Sequence, residues 1–260
     1  MGSDHALHRS RPRPRLLPAL GRRRTARGGH LPARVRRAHR RLPSAGLRLN
    51  AAGIDLWAVD QFGHGLSPPA TAATSSIEDS SALADSLTDL AEQQTPGIPL
   101  IAQGGHSFGS VVTLFRLLKT PKRYAAAVIS GAPPLVPVPE LLGGDAVELD
   151  PGWLSGDPFY LDSLENDPLA FVDADGGTLA RELDRAWDHF GAELPKLAVP
   201  TLAIHGELDP IAPVSALRAY AEQIEPLRLQ EFPGAHHDIL NETVHREVAA
   251  AIVGFIDEQR

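Results

Sequence analysis

The residues best placed to do chemistry are Gly105-His106-Ser107-Phe108-Gly109, a serine with a glycine two positions away on each side. The preceding residues read as a strand and the following ones as a helix, so Ser107 falls on a sharp strand-to-helix turn. Small neighbours there let strand and helix approach closely, and the hydroxyl is left exposed at the strand end. A serine hydroxyl is a weak nucleophile until a base takes its proton. His237, in Gly234-Ala235-His236-His237-Asp238, follows the last strand-like run, and Asp209, in Gly206-Glu207-Leu208-Asp209-Pro210, follows the one before it. Serine, acid and histidine thus occur in the chain order expected for a nucleophile on such a turn. The chemistry implied is acyl transfer: His237 deprotonates Ser107, Asp209 orients the imidazole, and the Phe108 amide at the helix start receives the oxyanion. His236 and Glu207 remain rivals for the base and the acid. A metal site on His236, His237 and Asp238 would need a further ligand from elsewhere. His5, His8, His30, His39, His189 and His245 read as surface or capping residues.

The elements that must hold these residues alternate in type. Residues 54–59 (IDLWAV), 99–103, 125–129, 201–205 and 227–232 read as strands, and 76–94, 109–119, 214–223 and 242–258 as amphipathic helices. This alternation predicts an α/β protein with a mostly parallel sheet covered on both faces. The stretch 134–196 breaks the rhythm. It is rich in Pro, Gly and Asp, and its apolar clusters at 135–138, 153–154 and 159–161 suit an inserted cap of short helices.

With 260 residues the chain is long enough for one full α/β core. It has no cysteine, which excludes disulfides, thiolate metal sites and a cysteine nucleophile. The sequence carries no apolar run long enough for a membrane span and no apolar region behind its basic start, and by default reads as soluble and cytoplasmic. The reading requires no metal or organic cofactor.

The net charge of −7 conceals a division: residues 1–48 hold 14 of the 25 Lys and Arg residues and one acid, Asp4, whereas the other 212 residues carry a net −20. Residues 1–48 contain no aromatic residue and no periodicity. Three readings compete for them: a basic arm for nucleic acid or acidic lipid, a transit-type peptide, or a GC-rich reading frame translated out of register. The last is favoured, because core patterning starts abruptly near Leu49. The expected organisation is therefore an atypical segment over 1–48 and a single domain over 49–260.

Several motifs carry a family resemblance over about residues 49–260. Asp60-Gln61-Phe62-Gly63-His64-Gly65-Leu66-Ser67 resembles the D-x-x-G-x-G-x-S loop of α/β hydrolases. The run Gly234-Ala235-His236-His237-Asp238-Ile239-Leu240-Asn241-Glu242 resembles the histidine loop of their monoacylglycerol lipase and lysophospholipase branch, as do the cap segments 150–158 and 166–169. The resemblance implies the α/β-hydrolase fold with an inserted cap, and His237 as the catalytic histidine. Two departures stand out. Ser110 replaces a second glycine after the elbow. The two or three strands that the family places before the Asp60 loop, ending in a His-Gly segment that completes the oxyanion hole, are missing or scrambled in 1–48, where Arg27-Gly28-Gly29-His30 is the one candidate.

The expected function is a serine hydrolase of carboxylic esters, with monoacylglycerols or similar lipid esters implied by the resemblance. The partners expected are a small ester or lipid, no nucleic acid, and at most transient contact with a membrane surface. A small-ester esterase, an acyltransferase and a non-catalytic binding protein on the same fold remain alternatives.

Overall fold

A computed structural model describes residues 43–67, 75–97, 102–133, 150–167 and 176–259. Among these residues, four strands form one parallel sheet in sequence order: β1 (Ala102–His106), β2 (Ala127–Ser130), β3 (Thr201–Gly206) and β4 (Leu227–Phe232). The helices α1 (Pro43–Ala51), α2 (Ile77–Gln94), α3 (Phe108–Lys119), α4 (Pro158–Glu165), α5 (Gly176–Phe190), α6 (Val214–Gln223) and α7 (His245–Glu258) surround it.

The two faces of the sheet follow from the two-residue period of a strand. Ala127 and Ile129 of β2 and Ala203 of β3 join Val111, Leu114, Phe115 and Leu217 in a cluster beneath α3, α5 and α6. Their neighbours Val128, Leu202 and Ile204 face the opposite way, onto Val248, Ile252, Phe255 and Ile256 of α7. The central strands are therefore buried along their whole length and mostly apolar, as a sheet covered on both faces demands. Edge strand β4 alternates instead, burying Leu227 and Phe232 while exposing Arg228.

Local signals set several element boundaries. Ser76 caps α2 by accepting from the Asp79 amide at 3.1 Å, with Glu78 and Asp79 in the positive first turn. Helix α6 and strand β4 occupy the residues expected of them. The expected C-terminal helix starts later, at His245, because residues Ile239–Asn241 form a separate 3₁₀ turn. Ordered helix also begins ahead of Leu49: α1 starts at Pro43 and packs on α7 through Ala45 and Leu49.

Residues 54–59, expected as a strand, run without a ladder partner among the described residues. Leu56 is buried in the α7 cluster, so the apolar pattern is used for packing. A strand also needs a neighbour for its N–H and C=O groups, and no described strand lies beside this one. The strand expected over 99–103 falls partly outside the described residues and is observed as Ala102–His106. Of the segment expected as a cap, 150–167 and 176–196 are described, and they contain α4, α5 and two short 3₁₀ turns.

Candidate active site

Parallel strands align their carboxyl ends, and the loops beyond those ends bring the predicted residues to one edge of the sheet. Ser107 follows β1 directly. It is the one non-glycine residue with positive φ among the described residues, at φ 55° and ψ −119°. Such a conformation costs on the order of 1–3 kcal/mol and persists only where the surroundings enforce it. Here the Ser107 amide donates to Ser130 O at 3.0 Å. The Ser110 hydroxyl, fully buried, donates to Ser130 O at 2.8 Å, lies 3.2 Å from Gly105 O and accepts from the Ser130 amide at 3.2 Å. Ser110 thus pins the turn to β2, which gives the departure from glycine a structural role. Gly105 supplies a second left-handed residue at φ 90°. Phe108 opens α3, so its amide lacks an intrahelical acceptor and points out of the helix start.

Asp209 lies three residues beyond β3 and is 5 % exposed. Its Oδ1 accepts from the amides of Ile211 (2.9 Å) and Ala212 (2.8 Å). Its Oδ2 faces His237 Nδ1 at 2.8 Å and His205 Nε2 at 3.2 Å. Burial alone would raise the carboxyl, but the hydrogen bonds from His205, His237 and the Ala212 amide outweigh it and hold Asp209 well below the usual carboxylate range. The rival acid, Glu207, is exposed to solvent.

His237 is 4 % exposed, and its amide donates to Trp153 O at 3.3 Å. The next amide, of Asp238, donates to Leu154 O at 2.7 Å, so the segment around Trp153 is tied to the histidine loop. His236 turns the other way, its Nδ1 lying 2.7 Å from Oε1 of the buried Glu242, which also accepts from the Gly156 amide at 2.7 Å. Asp238 accepts from the Tyr160 hydroxyl of α4. The three adjacent side chains His236, His237 and Asp238 therefore diverge. Among the described residues no group of three or more His, Asp or Glu side chains is placed to hold a metal ion.

Asp209 and His237 are brought together, and the residue before Ser107 reaches them. The ring of that residue, His106, lies edge-on to the His237 ring at 4.3 Å. No hydrogen bond joins Ser107 Oγ to His237 among the described residues. Both rings crowd Gly131, the residue after β2, where a Cβ would stand 2.5 Å from His106 Cε1 and 3.1 Å from His237 Cε1. Burial and the nearby His237 push the His106 imidazole down to about 4, against the opposing pull of Asp238 and Asp209. The Arg27–His30 candidate for the second oxyanion donor lies outside the described residues.

His106, Gly131 and His205 were not singled out by sequence reasoning. His106 could have been flagged by its place next to the nucleophile. His205 closes an apolar strand and reads there as a core residue.

A parallel sheet between helices, with a strained serine after its first described strand and an Asp–His pair beyond the last two, defines a member of the α/β hydrolases. Residues 38–244 match the serine aminopeptidase, S33 family, and the chain belongs to it. The chain is 28 % identical over 229 residues to a monoacylglycerol lipase of Mycolicibacterium smegmatis, a match that covers 80 % of each chain. The crystal structure of a Paleococcus ferrophilus monoacylglycerol lipase superposes with a TM-score of 0.71 at 24 % identity, covering 85 % of this chain and 90 % of that one. A thermostable Bacillus coagulans carboxyl esterase, solved with glycerol, does so with a TM-score of 0.71 at 19 % identity over 84 % and 85 % of the two chains. These structures share the fold. No helix among the described residues is long and apolar enough to cross a membrane.

Proposed function

We propose that this chain is a monoacylglycerol lipase-like hydrolase of carboxylic esters, acting through an acyl-enzyme on Ser107. The observation that carries this reading is the buried Asp209–His237 pair at the strand ends, with the ring of His106, the residue before the strained Ser107, edge-on to the His237 ring. His237 Nε2 takes the Ser107 proton as Oγ attacks the ester carbonyl carbon, and the imidazolium is stabilised by Asp209. The Ser107–His237 hydrogen bond forms in the substrate complex; such bonds are often long or absent without substrate. The oxyanion is received by the Phe108 amide, aided by the positive end of α3. Collapse of the tetrahedral species breaks the C–O bond, and His237 returns its proton to the leaving alcohol. Water, deprotonated by His237, then attacks the acyl-enzyme, and the second collapse frees the acid and the Ser107 hydroxyl.

The substrate class rests on family membership and the mycobacterial relative. Monoacylglycerols or similar lipid esters are proposed ahead of small esters, with Ser107, Asp209 and His237 as catalytic residues over the domain from about residue 43 onward. The test is intact-mass analysis after treatment with a fluorophosphonate, followed by hydrolysis of monoacylglycerols of graded chain length. One adduct per chain, absent in Ser107→Ala, is expected. A folded protein that takes no adduct would overturn the acyl-enzyme and leave the non-catalytic reading.

A further inference from the structure

His205 is the last inward-facing side chain of β3 and is completely buried. Its Nε2 lies 2.6 Å from Ala212 O and 3.2 Å from Asp209 Oδ2, while its Nδ1 has no hydrogen-bond partner among the described residues. The direction of these contacts follows from the pattern. Nε2 faces two acceptors and must carry a hydrogen, which it donates to Ala212 O and shares with Asp209 Oδ2.

The Ala212 peptide closes the arrangement. Its N–H donates to Asp209 Oδ1 at 2.8 Å and its C=O accepts from His205. Asp209 lies on a loop, and loops hold side chains less accurately than strands do. His205 is fixed by the sheet, where its backbone pairs in register with Glu231 of β4. It touches the same carboxylate oxygen that holds His237 Nδ1.

We propose that His205 is a positioning residue for the acid of the catalytic site: it anchors Asp209 Oδ2 and the Ala212 peptide to β3, so that the carboxylate stays aligned with His237. The inference rests on the proposed triad. A rigid Asp209 keeps the imidazole in the orientation that removes the serine proton, and substrate need not touch His205 at all. Loss of the anchor acts on turnover and leaves substrate binding alone.

The test compares His205→Leu, which keeps volume without a donor, with His205→Gln, whose terminal amide nitrogen restores a donor near the position of Nε2. Ser107→Ala and Asp209→Asn serve as controls on the triad. Each variant is assayed on a soluble nitrophenyl ester, with its melting temperature measured beside it. His205→Leu is expected to lose on the order of tenfold in kcat with KM within about twofold, the scale of one charge-assisted hydrogen bond. His205→Gln should recover most of that loss even if its melting temperature is no higher. Equal losses in the two variants, a loss expressed in KM, or no loss at all would overturn the positioning role. Full activity in Ser107→Ala or Asp209→Asn would instead overturn the triad itself, whatever the His205 variants do.

Discussion

Replacing Asp209 with asparagine keeps the shape of the side chain and removes its charge, and the surroundings dictate where the new amide goes. All four contacts of the carboxylate are with N–H groups: Ile211 and Ala212 amides on Oδ1, His237 Nδ1 and His205 Nε2 on Oδ2. If the asparagine NH₂ takes the Oδ1 side, the buried Ala212 amide and the half-buried Ile211 amide lose their acceptor, at about 1–3 kcal/mol each. If it takes the Oδ2 side, His237 can move its hydrogen to Nε2 and accept on Nδ1, and His205 still has Ala212 O at 2.6 Å. That placement loses one contact rather than two, so it is favoured by roughly 1–3 kcal/mol, about one to two powers of ten in population. It is also the wrong tautomer, because Nε2 then carries a hydrogen and cannot take the serine proton. With the loss of the negative charge that stabilises the imidazolium, kcat should fall by about 10³–10⁴-fold. Hydrolysis of a nitrophenyl butyrate ester, with thermal unfolding to verify the fold, measures this. The exposed Glu207→Gln should stay within about twofold of wild type. A folded Asp209→Asn protein retaining more than a tenth of the activity would refute the assignment of the acid.

Three further outcomes follow from the same geometry. Ser107→Gly abolishes ester hydrolysis and relieves the positive φ of 55°; against the backbone entropy of glycine it should gain about 1 kcal/mol, raising the melting temperature by about 2–4 °C. A lower melting temperature would show the turn to be unstrained. The folded-state value of His106 lies at about 4, below the ordinary histidine value, so the unfolded chain binds more protons between pH 4 and 6.5 and stability falls as pH drops through that window. Urea unfolding at pH 4.5 and 7 should show a smaller difference in His106→Gln than in wild type; an unchanged difference would assign the slope to other groups. Gly131→Ala would set a Cβ 2.5 Å from His106 Cε1, at a φ of 50°, and should cost more than about 2 kcal/mol together with most of the activity. A variant with wild-type melting and turnover would show that neither ring needs that space.

The elements legible in the sequence are those whose information is local. Ser76 with Glu78 and Asp79 announces α2, and α6 and β4 follow from periodicity alone. Where long-range contacts decide, reading along the chain fell short. The helix expected from Glu242 onward begins at His245, because Glu242 is engaged elsewhere. Its buried carboxylate accepts from the amides of Gly156, His236 and Thr243, with Gly156 lying 86 positions away. Residues 54–59 have the composition of a buried strand, but a ladder is a property of two segments, and the pattern cannot supply the partner. At the site, Ser107, Asp209 and His237 were legible as candidates because type and spacing mark them. Their supports were not, since a buried histidine ending an apolar strand looks the same whether or not it meets a carboxylate.

The order in which the sheet delivers these residues explains what else the site requires. Register pairs His106 with Ser130, Ser130 with Ile204 and Gly206 with Phe232, so β3 and β4 run two residues past the ends of β1 and β2, and each loop starts from the same side of the sheet. Neighbouring strands lie about 4.8 Å apart, which places the exit of β4 roughly 14 Å from that of β1. His237, five residues past β4, must cross the ends of both β3 and β2 to approach Ser107. The loop gains passage over β3 because Gly206 has no Cβ, where one would stand 2.2 Å from His236 O. Over β2 it does so because Gly131 leaves room for the His237 ring. The imidazole is caught from the far side by Asp209, which leaves the sheet at β3 with His205 behind it. The two glycines at the strand ends are thus as much a condition of the Asp209–His237 pair as the pair's own hydrogen bond, because without them the histidine loop could not lie across the sheet.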